Sequence, residues 1–414
     1  MKRILIDTQE HITRTGIVDD GKLIELVYER KNSLPIVGNI YVGKVVNVLP
    51  GMQAAFVDIG REKNAFLYYG NNRDENGEVV KPKNGTDILV QVEKAEVGKK
   101  GSVLTKKISF PGKFLVIIPG DNKIGISKKI TDPVERQRIK EIVKDLLPEG
   151  YGAIIRTDGA GKSYEVYKSE IENLVSISEE IVSKAEYIKA PELLYTDVRG
   201  VEKAVRDFFH DDIDEIVVNT EEDYGTLLKL CSELNIDIGK VKFHNDGTPL
   251  FASYFVEAQA KAAFNKQVWL KSGGFIIIEQ TEACVVIDVN TGKYTGKADL
   301  QKTILKTNLE AAKEIAHQLR LRNLNGMIIV DFIDMKSEAD RHLLRTTLEE
   351  AVSKDRLQTI VVGMTELGLM QLTRKKKRQS LMQLMTKTCP VCGGTGRVFC
   401  PHEIEEMEED SFEN

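Results

Sequence analysis

Two apolar runs that each end in a carboxylate, with one long amphipathic stretch between them, restrict this 414-residue chain more than any other feature. The first run, residues 283–287, closes on Asp288, Val289 and Asn290. The second, residues 327–330, closes on Asp331, Phe332, Ile333 and Asp334. Short continuous runs of branched apolar residues read as buried strands. Between them, residues 300–321 align Ile304, Leu305, Leu309, Ala312, Ile315, Ala316 and Leu319 on one helical face. A strand–helix–strand crossover makes the two strands parallel and near neighbours. Asp288 and Asp331 then fall at one sheet edge, where open α/β sheets place their sites. Two carboxylates so placed repel unless a hard cation such as Mg2+ lies between them. The expected chemistry is metal-dependent attack on a phosphodiester. The competing assignment is two aspartates that only cap the loops behind them. Asp334 ranks below the pair: three residues past Asp331, it faces the other side of the sheet if the strand continues that far.

Composition adds exclusions. A formal net charge of −5 argues against a uniformly basic nucleic-acid binder, although local patches remain, such as the run Arg374 to Arg378. The loop behind Asp288, with Gly292, Lys293, Gly296 and Lys297, also suits an approaching RNA backbone. No apolar run reaches the roughly 18 residues of a membrane span, and Met1-Lys2-Arg3 leads into a strand, not a signal peptide. Of five cysteines, Cys231 and Cys284 sit in apolar contexts, while Cys389, Cys392 and Cys400 crowd the C-terminal end. An odd count with one tight C-x-x-C suits a reducing cytoplasm and a metal. Cys389-Pro390-Val391-Cys392 with Gly393 and Gly394 behind it reads as a zinc knuckle, which supplies two of the four ligands zinc needs. Either a second chain gives its own pair, or Cys400 and His402 complete the site within one chain.

The N-terminal part is built from short pieces. Strands at 4–6, 14–18 and 23–27 make an antiparallel sheet too small to bury a core alone. From Gly38 onward, short strands near 39–48, 54–60, 64–69 and 87–92 suggest a five-stranded barrel. Their G-x-V-x-x-V, A-F-V-D-I-G and A-F-L order resembles an S1-type OB domain. Phe56, Phe66 and Tyr68 are its expected stacking platforms, with Lys100 nearby for phosphate; alternatively Phe56 and Phe66 fill the barrel. Strands at 114–118 and 124–126 and a helix at 133–147 follow. The run 152–163 ends like a phosphate-binding loop, but Arg156 stands where its first glycine belongs, which excludes that nucleotide site. Arg156-Thr157 at a strand end is either a phosphate clamp, fork plus hydroxyl, or a surface turn. Helices near 170–190, 201–209 and 224–234 alternate with strands at 215–219 and 240–243, completing the first sheet around an inserted barrel. Residues 255–269 read as one helix, and a strand at 275–279 precedes the carboxylate strands.

Taken together, the barrel, the Arg-Thr clamp, S-G-G, Q-T-E-A, I-D-V-N-T-G, T-N-L-E-A-A, I-V-D-F-I-D-M and T-C-P-V-C-G-G-T-G closely resemble, in that order from Ile4 to Gly396, the bacterial ribonuclease E/G family. The resemblance implies an α/β multidomain chain. A ribonuclease H-like sheet (1–34 and 200–265), without that enzyme's site, would carry an inserted S1 barrel (35–106) and a 5′-sensor domain (107–199). A DNase I-like catalytic subdomain (266–384), a zinc-link (385–402) and an acidic tail (403–414) would follow. It implies a Mg2+-dependent endoribonuclease that cuts single-stranded RNA in RNA processing and decay and leaves 5′-monophosphates. Asp288 and Asp331 match the family's metal-binding aspartates, and Asn290 the asparagine that orients the scissile phosphate. Phe56, Phe66 and Lys100 match its RNA grip. Gly112, Val116, Arg156 and Thr157 match its 5′-monophosphate pocket, and Cys389 and Cys392 its zinc-link, which clamps a homodimer. A cytoplasmic enzyme without scaffold tail or membrane span is expected.

Two departures modify this. Gln358 stands after Asp355-Arg356 where the family often has an arginine near the 5′ pocket, so a weaker preference for monophosphorylated ends is expected. The chain also stops 22 residues after Cys392, short of the family's small tetramer-forming domain, so a dimer is expected. The rival reading is a non-catalytic S1 RNA-binding factor with a structural acidic pair.

Overall fold

The computed structural model describes residues 1–30, 36–71, 79–96, 101–234, 236–292 and 300–397. The chain divides into two compact units, Met1–Asn265 with Lys313–Leu321, and Lys266–Ala312 with Arg322–Asn414.

The first unit opens with β1 (Lys2–Thr8), β2 (Ile12–Asp19) and β3 (Lys22–Arg30), an antiparallel meander. A barrel follows, from β4 (Ile40–Leu49), β5 (Ala54–Asp58), β6 (Ala65–Tyr68), β7 (Asp87–Lys94) and β8 (Val103–Thr105). The long strand β4 pairs with β5 through its second half and with β7 through its first. With β5–β6, β6–β8 and β7–β8 paired, the ring closes and presents no open edge. Val57, Ala65, Leu67, Val90, Val92 and Leu104 fill it. The turn of the wall needs glycine at 43, since a Cβ there would lie 2.5 Å from the Val57 side chain.

A third sheet joins β9 (Phe110–Pro111), β10 (Leu115–Pro119), β11 (Ile124–Ile126) and β12 (Tyr151–Ile155), in the order β11-β12-β10-β9. Two helices accompany it: α1 (Pro133–Leu146), capped by the Asp132 carboxylate, and α2 (Tyr164–Tyr187). The chain then returns to the barrel, where β13 (Glu192–Tyr195) pairs with β4. Next come α3 (Gly200–Phe208), β14 (Glu215–Val218), α4 (Glu221–Glu233) and β15 (Val241–Phe243). Here β14 lies parallel to β1 and β15 parallel to β14, so residues from both ends of the unit share one sheet. Ile4, Ile6, Ile216 and Val218 pack against Val201, Val205, Phe208 and Leu227 of the helices. Helices α5 (Leu250–Ser253) and α6 (Glu257–Ala262) end the stretch.

The second unit is a six-stranded sheet ordered β16-β17-β18-β19-β21-β20. Its strands are β16 (Gln267–Trp269), β17 (Phe275–Gln280), β18 (Cys284–Asn290), β19 (Gly326–Asp331), β20 (Thr359–Met364) and β21 (Leu369–Arg374). Helix α7 (Leu300–Leu321) makes the crossover from β18 to a parallel β19, α8 (Glu338–Ser353) follows, and α9 (Leu381–Met385) ends the unit's regular structure.

Two expectations need correction. Residues 255–269 are not one helix: α6 ends at Ala262, and Gln267–Trp269 is an edge strand hydrogen-bonded to β17. A free ladder partner overrides the weak helical pattern there. The apolar runs are also not buried along their whole length. Val285, Ile287, Val289, Ile328 and Val330 are buried, while Val286 and Ile329 are half-buried and Asp288 and Asp331 exposed. A continuous apolar run does not distinguish a sheet with one open face from one with none.

Candidate functional site

The open face of the second unit's sheet carries the carboxylates. Asp288 and Asp331 are register partners across the parallel β18–β19 pair, so both side chains project to the same face, from strands about 4.8 Å apart. The row continues to Ile277 on β17 and Leu369 on β21. Asn290, two residues along β18, shares this face, and its Nδ2 donates to Asp288 Oδ2 at 2.7 Å. That bond orients one carboxylate and leaves the amide beside it. Strand β19 ends at Asp331. Asp334 therefore lies beyond the strand, where alternation no longer applies; it is exposed and outside the carboxylate row.

One positioning group escaped the sequence reading. Asn308 of α7 is fully buried, donates from Nδ2 to the Ile333 carbonyl at 2.7 Å, and accepts from the Ile333 N–H at 3.1 Å. It fixes the backbone two residues beyond Asp331. An asparagine inside an amphipathic helix carries no sequence signal of this kind. On the same open face lies a further row, Trp269, Phe275 and Asn290, in which the two rings meet edge to face at a centroid distance of 5.4 Å.

Two carboxylates with an amide beside them form a hard-oxygen donor set that fits Mg2+, which takes few protein ligands and keeps several waters. Among the described residues no group of three or more His, Cys, Asp or Glu gathers as a metal cage, so such an ion would rest on this pair.

On the barrel, alternation places Val57, Ala65 and Leu67 inside and Phe56, Phe66 and Tyr68 outside. Phe56 and Phe66 are cross-strand partners, half-buried, with rings edge to face at 6.2 Å; Tyr68 is exposed and donates to Gln53. Lys100 lies outside the described residues.

The four expected clamp residues belong to β9–β12 and their turns. Arg156 donates from Nη1 to the Gly112 carbonyl at 2.7 Å and approaches Asp207 at 3.6 Å. Thr157 Oγ1 pairs with Ser127 Oγ at 2.9 Å, and Val116 sits on β10 opposite Ile154. Position 112 requires glycine, because a Cβ would meet the Glu170 carboxylate at 2.7 Å. That carboxylate accepts from the backbone N–H groups of Lys113, Phe114 and Leu115, while burial pushes its pKa up. Beneath lies Lys113, buried against Phe114 and Phe209 and donating to the Phe209 carbonyl. Burial brings its pKa down to about 8, against the opposing pull of Asp158. Burial also works to raise the Asp158 carboxyl, but the His210 hydrogen bond and the Lys113 charge outweigh it and hold that group low.

At the C-terminal knuckle, Cys389 is exposed and Cys392 half-exposed, both free thiols. The Gly396 N–H donates to Cys392 Sγ at 3.3 Å, and backbone N–H groups of Gly396 and Gly394 draw this thiol's pKa below its ordinary value. Gly393, Gly394 and Gly396 all have positive φ, which a non-glycine residue rarely adopts. An N–H aimed at sulfur and a lowered pKa fit a metal-binding thiolate. Cys400 and His402 lie outside the described residues.

The basic run is shorter than it reads. Arg374 is buried and paired with Asp355 at 2.6 Å, and it donates to Asn323 Oδ1 and the Leu324 carbonyl. It serves the fold, while Lys375, Lys376 and Lys377 are exposed. The Lys375 N–H donates to the Gln358 carbonyl at 2.9 Å, which sets that run beside Gln358.

Comparison with known proteins agrees over this whole span. The model of the ribonuclease E/G family matches residues 109–377. Ribonuclease G of Haemophilus influenzae is 39% identical over 412 residues, covering 95% of this chain and 84% of the relative. Ribonuclease G of Escherichia coli K12 is 38% identical over 410 residues, with the same coverage of both chains. Ribonuclease E of Escherichia coli K12 is 36% identical over 418 residues, covering 96% of this chain but 39% of that longer protein. With a closed OB-like barrel and an in-register carboxylate pair in one mixed α/β chain, the protein belongs to the ribonuclease E/G family, a family of endoribonucleases.

Proposed function

We propose that this endoribonuclease cuts single-stranded RNA at the Asp288–Asp331 pair with Mg2+, leaving 5′-monophosphate products. One observation carries the reading: two carboxylates in register on the open face of a sheet, with Asn290 bonded to one of them. A Mg2+ held there would supply polarisation of the phosphate and acidification of a water. The residues themselves do the rest. Asp288 and Asp331 offer negative oxygens to the ion. Asn290 fixes the Asp288 rotamer through its Nδ2 and stands beside the pair to orient the scissile phosphate. Asn308 keeps the Asp331 strand end from shifting.

Outside the pair, Phe56 and Phe66 give a stacking surface that suits unpaired bases, so duplex RNA is a poor substrate. The Gly112, Val116, Arg156 and Thr157 group reads a 5′-monophosphate, with Arg156 exchanging its Gly112 and Asp207 contacts for phosphate oxygens. Cys389 and Cys392 hold Zn2+, shared with the same two thiols of a second chain in a homodimer. The free thiols support a cytoplasmic location, and among the described residues no helix is long and apolar enough to cross a membrane. We assign the ribonuclease H-like, S1, 5′-sensor, DNase I-like and zinc-link boundaries given above to the same reading.

The test is incubation of purified protein and of its Asp288→Asn variant with one single-stranded RNA bearing either a 5′-monophosphate or a 5′-triphosphate, with and without Mg2+. Cleavage by the parent protein alone, only with Mg2+ and faster on the monophosphate, is the expected result. Equal cleavage by the variant overturns it.

A further inference from the structure

Trp269 is the chain's single tryptophan, and it is 66% exposed on the edge strand β16. Cross-strand register puts it in one row with Phe275 and Asn290, so its ring projects to the open face that carries Asp288 and Asp331. Two strand spacings separate it from Asn290, about 10 Å across the sheet. The ring contact with Phe275, at an interplanar angle of 64°, holds the indole in place and covers at most one of its two faces. Lys271 is exposed in the turn behind it, a cation within the same strand-to-strand connection. Gln267, also exposed, ends the carboxylate row itself.

An exposed, oriented indole beside a phosphodiester-cutting pair has one ligand chemistry that fits all these features. We propose that Trp269 stacks on a base of the substrate RNA close to the scissile phosphate, a second stacking site distinct from the barrel aromatics. A strand crossing the open face with its scissile phosphate at Asp288 and Asp331 carries the next bases over Ile277 and Phe275 to the indole. Every base has a π-face, so the site adds affinity and register with little sequence preference. It would select for unpaired nucleotides beside the cut, independently of the barrel. This inference rests on the proposed cleavage site.

The lone tryptophan makes the test direct. Asp288→Asn protein, expected to hold RNA without cutting it, is titrated with a single-stranded RNA of known cut site while intrinsic emission and the anisotropy of an RNA label are followed together. Emission is expected to fall as anisotropy saturates. In a set of RNAs with one abasic nucleotide moved stepwise past the cut, one position should abolish the quench and weaken binding about fivefold or more. In otherwise unaltered enzyme, Trp269→Ala should raise KM by a similar factor with kcat held, and Trp269→Tyr should restore most of it. Saturating anisotropy with unchanged emission overturns the inference and leaves the cleavage site standing. Emission that changes with protein concentration and not with RNA assigns the face to a second copy of the chain, and also overturns it. No anisotropy change at all removes the cleavage reading as well.

Discussion

Asn308 and Ile333 hold each other by two hydrogen bonds, side-chain amide to carbonyl and backbone N–H to amide oxygen. The helix of the crossover is thereby locked to the chain just past Asp331. Asn308→Leu strands both backbone groups in a buried place, at about 1–3 kcal/mol for each unsatisfied group. Asn308→Asp loses the donor and sets a carboxylate against the Ile333 carbonyl. Both variants should lower kcat more than they raise KM, and urea unfolding should show the stability loss.

Asp288→Asn and Asp331→Asn should each lower cleavage by more than about 100-fold, beyond the range typical of groups that only support a metal ligand. The double variant should be little worse than either single one, because the two oxygens act as a unit. Rates under single-turnover conditions, with RNA binding measured in parallel, check this. Activity within tenfold of the parent would remove the pair from the chemistry.

Arg156→Ala should bring the cleavage rates of 5′-monophosphate and 5′-triphosphate RNAs together while leaving an RNA with a blocked 5′ end unaffected. The comparison of kcat/KM on the three substrates reads this directly. Arg156→Lys should recover only part of the preference, because a point charge does not reproduce the two-pronged fork.

Lys113 gives a stability change at alkaline pH. Its ammonium is buried among Asp158, Arg156, Glu170 and Lys162, and its pKa falls to about 8 from the ordinary value near 10.5. Between those values the unfolded chain binds more protons than the folded one, so folding stability rises with pH across this window. The gain relative to Lys113→Met approaches about 3 kcal/mol. Urea unfolding of both proteins from pH 7 to 10.5 measures the difference, which should open upward from pH 8.

Asp355 and Arg374 are both almost wholly buried and joined at 2.6 Å. Asp355→Ala leaves a buried guanidinium without its carboxylate, at about 3–5 kcal/mol, and should lower Tm sharply. Asp355→Leu combined with Arg374→Met should be less harmful than Asp355→Ala, since no uncompensated charge remains.

The meeting of Asp288 and Asp331 at one sheet edge was legible because a right-handed crossover leaves two adjoining parallel strands little choice of ends, whereas their exact register was not. The barrel was legible from strand spacing, and the outward placement of Phe56 and Phe66 follows from alternation once Val57 and Leu67 are inside. Its closure by a parallel β6–β8 pair was not, since strand spacing is silent on partners. Gln267–Trp269 was misread because three residues have too little period to resist a helical pattern, and β17 decides their state from outside. Arg374 looked like one more cation in a basic run, because the carboxylate that claims it lies 19 residues earlier. Asn308 gave no warning at all: its partner is a backbone group, and backbone groups have no letter in the sequence.

The parallel pairing of β1 with β14 joins residue 3 to residue 215. During synthesis at about 5–20 residues per second, β1 is made on the order of 10–40 s before the partner that completes its sheet. Ile4 and Ile6 stay without their α3 and α4 cover for that interval. Strand β1 is thus an apolar surface made well before the strand and helices that cover it.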